Sequence, residues 1–163
     1  MNRRATITAV LCLAAASIPV SVTARTTLPP RVCQPLTKPR VRALFDTWNK
    51  ALEDQTAKSV TALYGNDATL LPTVEVGPYT KPSEQFFDYF KHFVERHPVA
   101  TIDEASRFIT IRGNLAYDIG LYDFLVDGED GKNRETIKAR YTFIYECEQG
   151  VWRIAHHHSS KQP

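Results

Sequence analysis

Apolar residues recur at helical spacing in the first half of the chain and alternate with polar ones in the second. Val41, Leu44, Phe45, Trp48 and Leu52 predict a helix over 39–53, with Pro39 in its first turn. A short second helix is expected over 58–64, where Val60, Leu63 and Tyr64 are apolar, ended by the turn residues Gly65-Asn66-Asp67. Residues 68–71 read as a short strand stopped by Pro72. A third helix is expected over 80–96. Thr80 would cap it, Pro82 and Glu84 suit its first turn, and Phe86, Tyr89, Phe90, Phe93 and Val94 form one apolar face. Strand patterns then fill 100–112, 115–126, 134–146 and 151–160, separated by Gly113-Asn114, by 127–133 and by Glu148-Gln149-Gly150.

Helices first and a long antiparallel meander afterwards define an α+β fold, a curved sheet with helices laid on one face. A pocket between the two layers is where chemistry is expected. The length, 163 residues with 43% hydrophobic, suits one domain. A formal net charge of +2 gives no support for a nucleic-acid or acidic-membrane partner.

The N-terminus changes this picture. Arg3 and Arg4 precede an apolar run over 5–16, and Ser21-Val22-Thr23-Ala24 offers small residues for cleavage after Ala24. Residues 1–24 therefore read as a signal peptide, with an uncleaved anchor as the alternative. Residues 25–38, rich in Pro and Thr, form an extended lead-in, and 39–163 the domain. Export to a periplasm or the medium is expected, with no membrane attachment after processing. Cys12 leaves with the signal, so Cys33 and Cys147 remain, an even pair in an oxidising compartment. A bridge between them would be worth roughly 3–5 kcal/mol; two free thiols are the alternative.

The richest stretch is Trp152-Arg153-Ile154-Ala155-His156-His157-His158-Ser159-Ser160. Strict alternation puts Arg153, Ala155, His157 and Ser159 on one face and Trp152, Ile154, His156, His158 and Ser160 on the other. His156 and His158 share a face and invite a metal, but a catalytic zinc normally takes three protein ligands and no third is obvious. Asp118 shares a face with Tyr122 and reads either as a general base or as the partner of a basic strand residue such as Arg140.

From Gly150 to Ser160 the chain resembles the last strand of the association-domain branch of the NTF2-like (SnoaL-like) superfamily, the cone-shaped fold of the calcium/calmodulin-dependent kinase II hub. The resemblance covers 39–163 and implies helices packed on the concave face of a curved antiparallel sheet. Within the superfamily, Leu70-Leu71-Pro72-Thr73, Tyr89-Phe90, the run from Arg140 to Glu146 and the His-His-His-Ser-Ser ending are similar to bacterial iota-class carbonic anhydrases. That likeness implies catalytic roles for Thr73, Tyr89, His157 and Ser159, with His157 orienting Ser159 or relaying a proton. The residue matching Ser159 in the hub is an arginine pointing into the pocket, which favours the His157 and Ser159 face as inward. Tyr122 and Phe143 stand where the hub has two more pocket arginines, and Phe86 joins Tyr89 on the opposite wall. A pocket without those arginines suits carbon dioxide and bicarbonate. No cofactor is implied, with zinc or manganese as the alternative, and a homodimer is expected. Two other readings stay open, a non-catalytic ligand-binding or oligomerisation module and a SnoaL-like isomerase or cyclase with Asp118 as base.

Overall fold

The computed structural model describes residues 31–163 apart from residue 129. The expected signal peptide lies outside the described residues. Helix α1 (Lys38–Glu53) starts where Thr37 accepts a hydrogen bond from the Arg40 N–H at 3.4 Å, with Pro39 in the first turn. Val41, Phe45, Trp48 and Leu52 on its apolar stripe are buried. Helix α2 (Ala57–Thr61) is shorter than expected and begins at a Thr56 cap. No helix among the described residues is long and apolar enough to cross a membrane.

The next element corrects the sequence reading. Strand β1 (Tyr64–Leu71) includes Gly65, Asn66 and Asp67, the three residues expected to form a turn. Asn66 is held by the Glu148 carboxylate through its backbone N–H at 3.2 Å and through its side chain. A Cβ at Gly65 would lie 3.0 Å from that carboxylate, so the small residue permits close approach rather than a turn. Thr80 belongs to the two-residue strand β2 (Tyr79–Thr80), paired with Thr69. Helix α3 (Glu84–Val94) is capped instead by Ser83, whose hydroxyl accepts from the Phe86 N–H at 3.3 Å.

The expected strand over 100–112 is two strands, β3 (Val99–Ile102) and β4 (Phe108–Arg112), which pair with successive parts of β5 (Leu115–Asp127). The polar run Asp103-Glu104-Ala105-Ser106 breaks the alternation, and the Ser106 N–H turns back to the Asp103 carbonyl at 3.0 Å. Strands β6 (Arg134–Glu148) and β7 (Val151–Lys161) complete the meander, and Gly113 at φ 58° serves the tight β4–β5 turn. The seven-stranded sheet runs β2-β1-β7-β6-β5-β3, with β4 also on β5, and β1 lies parallel to β7.

Helices and sheet enclose one aromatic core. The Trp48 ring meets Phe143 edge-on with centroids 5.1 Å apart, and Tyr64 meets Phe86 at 5.2 Å. Cys33 and Cys147 form a disulfide that ties the lead-in to the end of β6. The Trp152 indole adds a hydrogen bond to the Gln34 carbonyl at 2.9 Å.

Candidate functional site

Strand β7 does not alternate strictly. Tyr145 pairs with Ile154 and Ile144 with His156, which leaves Ala155 as an extra residue in the ladder. The bulge turns Ile154 inward together with His157 and Ser159, all three buried, so Ile154 lies on the face opposite to the one alternation gives it. The inward placement of His157 and Ser159 holds.

These two residues sit in a continuous buried chain of hydrogen bonds. The Trp48 indole N–H donates to Tyr64 Oη at 3.0 Å, and Tyr64 Oη lies 2.9 Å from His157 Nδ1. His157 Nε2 is 3.4 Å from Tyr122 Oη, which donates to Ser159 Oγ at 2.6 Å. Ser159 Oγ in turn meets Thr73 Oγ1. Phe143 stacks on the His157 ring at 4.0 Å, and Trp48 closes it edge-on at 5.2 Å.

Burial dominates the titration of this chain. It lowers His157 to about 3, with the neighbouring His156 and His158 adding to the effect, because a charged imidazole here would have neither water nor a carboxylate. It raises Tyr64, Tyr89 and Tyr122 above the ordinary phenol range. At neutral pH the chain is therefore uncharged. A neutral His157 hydrogen-bonded on both ring nitrogens is suited to orienting its neighbours, the first of the two roles expected of it.

The chain ends at a cavity of about 90 Å³. Thr73 and Tyr89 supply its hydroxyls, and Phe93, Phe124 and Ile137 its apolar wall. Among the described residues Tyr89 Oη has no hydrogen-bond partner although the residue is 9% exposed. Val74, Glu75, His92 and Arg96 complete the lining, the first three exposed to solvent. Arg96 is engaged with the Asp127 carbonyl at 2.8 and 2.9 Å and with Glu135.

Of the seven expected site residues, Thr73 and Tyr89 line the cavity, while Ser159, Tyr122 and His157 stand behind Thr73 in the order given. Phe143 supports the imidazole. Phe86 packs on Tyr64 and Phe90 (5.4 Å) and is not among the residues lining the cavity. Sequence reasoning missed Tyr64, assigned to the end of a helix, and the lining residues Glu75 and Arg96. A tyrosine facing the buried end of β1 could have been found only by extending that strand back through Gly65.

Geometry bears on two alternatives. His156 Nδ1 is bonded to Thr69 Oγ1 at 2.7 Å, and among the described residues no three His, Cys, Asp or Glu side chains gather to hold a metal. The residues thus do not fit a three-ligand zinc or manganese centre. Asp118 is fully buried and paired with Arg107, not Arg140, through Nε at 3.0 Å and Nη2 at 2.6 Å, and it accepts from Tyr141 at 3.1 Å. Removing the charge with Asp118→Asn would leave Arg107, itself almost wholly covered, with only the exposed Glu104 carboxylate at 2.8 Å as an ionic partner. A loss of about 3 kcal/mol is expected in urea unfolding, whereas an unchanged midpoint would show the pair to be dispensable.

This arrangement, an α+β cone with a polar chain leading to a small cavity, defines a member of the NTF2-like class. The chain belongs to the calcium/calmodulin dependent protein kinase II association domain family, whose model matches residues 37–163. It is similar to a protein from Xanthomonas campestris described as such an association domain, at 34% identity and TM-score 0.72, covering 84% of this chain and 99% of that one. An NTF2-like protein of unknown function from Pseudomonas putida shares the fold at 18% identity and TM-score 0.62, over 76% and 84% of the two chains. So does an NTF2-like family member from Streptomyces avermitilis described as a dehydratase, at 11% identity and TM-score 0.65, over 77% and 95%. No curated protein matches the chain.

Proposed function

We propose that the protein is an exported carbonic anhydrase of the iota type, interconverting carbon dioxide and bicarbonate in the cavity beside Thr73. The observation that carries this reading is the convergence of the Thr73 and Tyr89 hydroxyls, the first backed by Ser159, on a space of about 90 Å³. That is room for a few waters or one molecule of a few heavy atoms, well below the roughly 300 Å³ at which drug-sized ligand pockets begin. Neutral hydroxyls both donate and accept, so they can hold a water in the ground state and oxyanion character afterwards. The water oxygen adds to the carbon of carbon dioxide, one C–O π pair moves onto oxygen, and the water releases a proton to leave bicarbonate. With His157 neutral down to about 3, that proton leaves by the solvent side, where Glu75 and His92 line the cavity. The water is positioned by hydroxyls rather than by a resident metal, and the rate comes from orientation in a largely apolar enclosure.

The isomerase reading asks Asp118 to act as a free base, yet both of its oxygens are engaged. An assembly role is favoured by a separate observation. Phe108, Tyr117, Ile119 and Leu125 lie exposed on the outer face of β4 and β5, away from the helices. Family membership and this apolar face support a homodimer that pairs sheet to sheet, and catalysis and assembly are compatible. The disulfide suits an oxidising compartment, which supports export to a periplasm or the medium.

Isotope exchange between ¹⁸O-labelled carbon dioxide and water tests the catalytic reading. Thr73→Val, close in shape and lacking the hydroxyl, is expected to slow exchange by about 10²-fold, and Thr73→Ser to restore most of it. Exchange by Thr73→Val at the unsubstituted rate would remove Thr73 from the site.

A further inference from the structure

We infer that Trp48 and Tyr64 fix the direction of the buried hydrogen-bond chain, so that Thr73 presents its hydroxyl hydrogen to the cavity and the cavity selects small oxyanions and carboxylates. The argument begins at the far end. An indole N–H donates and cannot accept, so Tyr64 Oη accepts from Trp48 at 3.0 Å and must place its own hydrogen elsewhere. Among the described residues its other partner is His157 Nδ1 at 2.9 Å. Nδ1 is then an acceptor, and the neutral imidazole carries its proton on Nε2.

From there each group has one consistent role. The Nε2–H faces Tyr122 Oη at 3.4 Å, the Tyr122 hydrogen goes to Ser159 Oγ at 2.6 Å, and the Ser159 hydrogen goes to Thr73 Oγ1. Thr73 accepts from Ser159, and the Tyr122 hydroxyl that also neighbours it already gives its hydrogen to Ser159 and faces the Nε2–H, so the Thr73 hydrogen turns to the cavity it lines. The opposite order would strand the Tyr64 hydrogen against a donor-only indole in a fully buried site, the arrangement buried polar groups avoid. Of the lining residues Glu75, His92 and Arg96, two already have partners. Glu75 accepts from Tyr79 at 2.8 Å, and Arg96 is held by Asp127 and Glu135. The hydroxyls therefore set what the inner end recognises. Tyr64 is a positioning residue that acts through His157.

The inference rests on the cavity of the carbonic anhydrase reading, but its first test needs no turnover. Long-range proton–nitrogen spectra of the full chain labelled with [¹⁵N]histidine, with His157 assigned by its missing signal in His157→Gln, should show the proton on Nε2 and Nδ1 as a hydrogen-bonded imine. In Tyr64→Phe the Nδ1 resonance should move toward the position of an unbonded imine, and the Trp48 indole resonance should move with it. A proton on Nδ1 in the unsubstituted protein would overturn the inference. Titration with bicarbonate or acetate should shift the Tyr89 resonances, weakening by about tenfold or more in Thr73→Val and recovering in Thr73→Ser. Methylammonium, which only donates, should shift them less than either oxyanion and with no dependence on the Thr73 hydroxyl. Preference for methylammonium, or no response to either oxyanion, would overturn the selectivity. Oxyanion binding without carbon dioxide hydration would uphold the inference while rejecting the catalytic reading.

Discussion

Acidification from about pH 6.5 to about 3 is expected to cost the folded protein roughly 5 kcal/mol through His157 alone, or about 1.4 kcal/mol per pH unit. The imidazole is buried under Trp48 and Phe143, and burial holds its folded-state value at about 3, well below the 6.5 of an ordinary histidine. Below 6.5 the unfolded chain takes up a proton that the folded chain refuses, so unfolding gains. Above 6.5 neither state is protonated and the contribution vanishes. Urea unfolding of the native chain and of His157→Gln at a series of pH values measures this directly. The substitution will shift stability at neutral pH, but the informative quantity is the slope. His156, whose value burial also lowers, remains in both proteins and cancels. The His157→Gln slope should be shallower by about 1.4 kcal/mol per pH unit across this window; parallel slopes would mean that His157 is hydrated or paired when charged.

Reduction of the bridge between Cys33 and Cys147 is expected to lower stability by about 4–5 kcal/mol, because it closes a loop with a sequence separation of 114. Open, that loop gives the unfolded chain freedom it otherwise lacks. The folded side loses anchorage as well, since the bridge fixes the lead-in that carries the Gln34 carbonyl over Trp152. Calorimetry with and without reductant, or of Cys33→Ser with Cys147→Ser, checks it. A change below about 1 kcal/mol would show that the lead-in adds nothing and that the unfolded chain is already compact.

How far the sequence reveals this molecule differs from element to element. Helix α1 was plain because Val41, Phe45, Trp48 and Leu52 repeat with its own period and Pro39 marks its start. Strands β5, β6 and β7 were plain because alternation runs long enough to average out exceptions. Tyr64 was hidden because Gly65-Asn66-Asp67 carries turn chemistry, while the partner that makes it a strand, Glu148, is distant in sequence. The β7 bulge was hidden for a related reason. One extra residue at Ala155 changes the face of Ile154 without altering composition, and only pairing with β6 exposes it. Arg107 escaped notice as the partner of Asp118 because it sits in the break between β3 and β4, read as the middle of one strand. The four residues 103–106 interrupt the apolar rhythm and could have signalled that break. The site residues Thr73, Tyr89, His157 and Ser159 came from a resemblance, and their order within one chain of hydrogen bonds came only from coordinates.

The most direct test of this account is stopped-flow hydration of carbon dioxide by the protein produced without residues 1–24, with and without chelator, alongside Ser159→Ala. Hydration well above buffer, insensitive to chelator and lowered by about 10²-fold in Ser159→Ala, is the predicted result. No hydration above buffer, with or without added zinc or manganese, would contradict it; activity lost to chelator would show that a metal and not the hydroxyls holds the water.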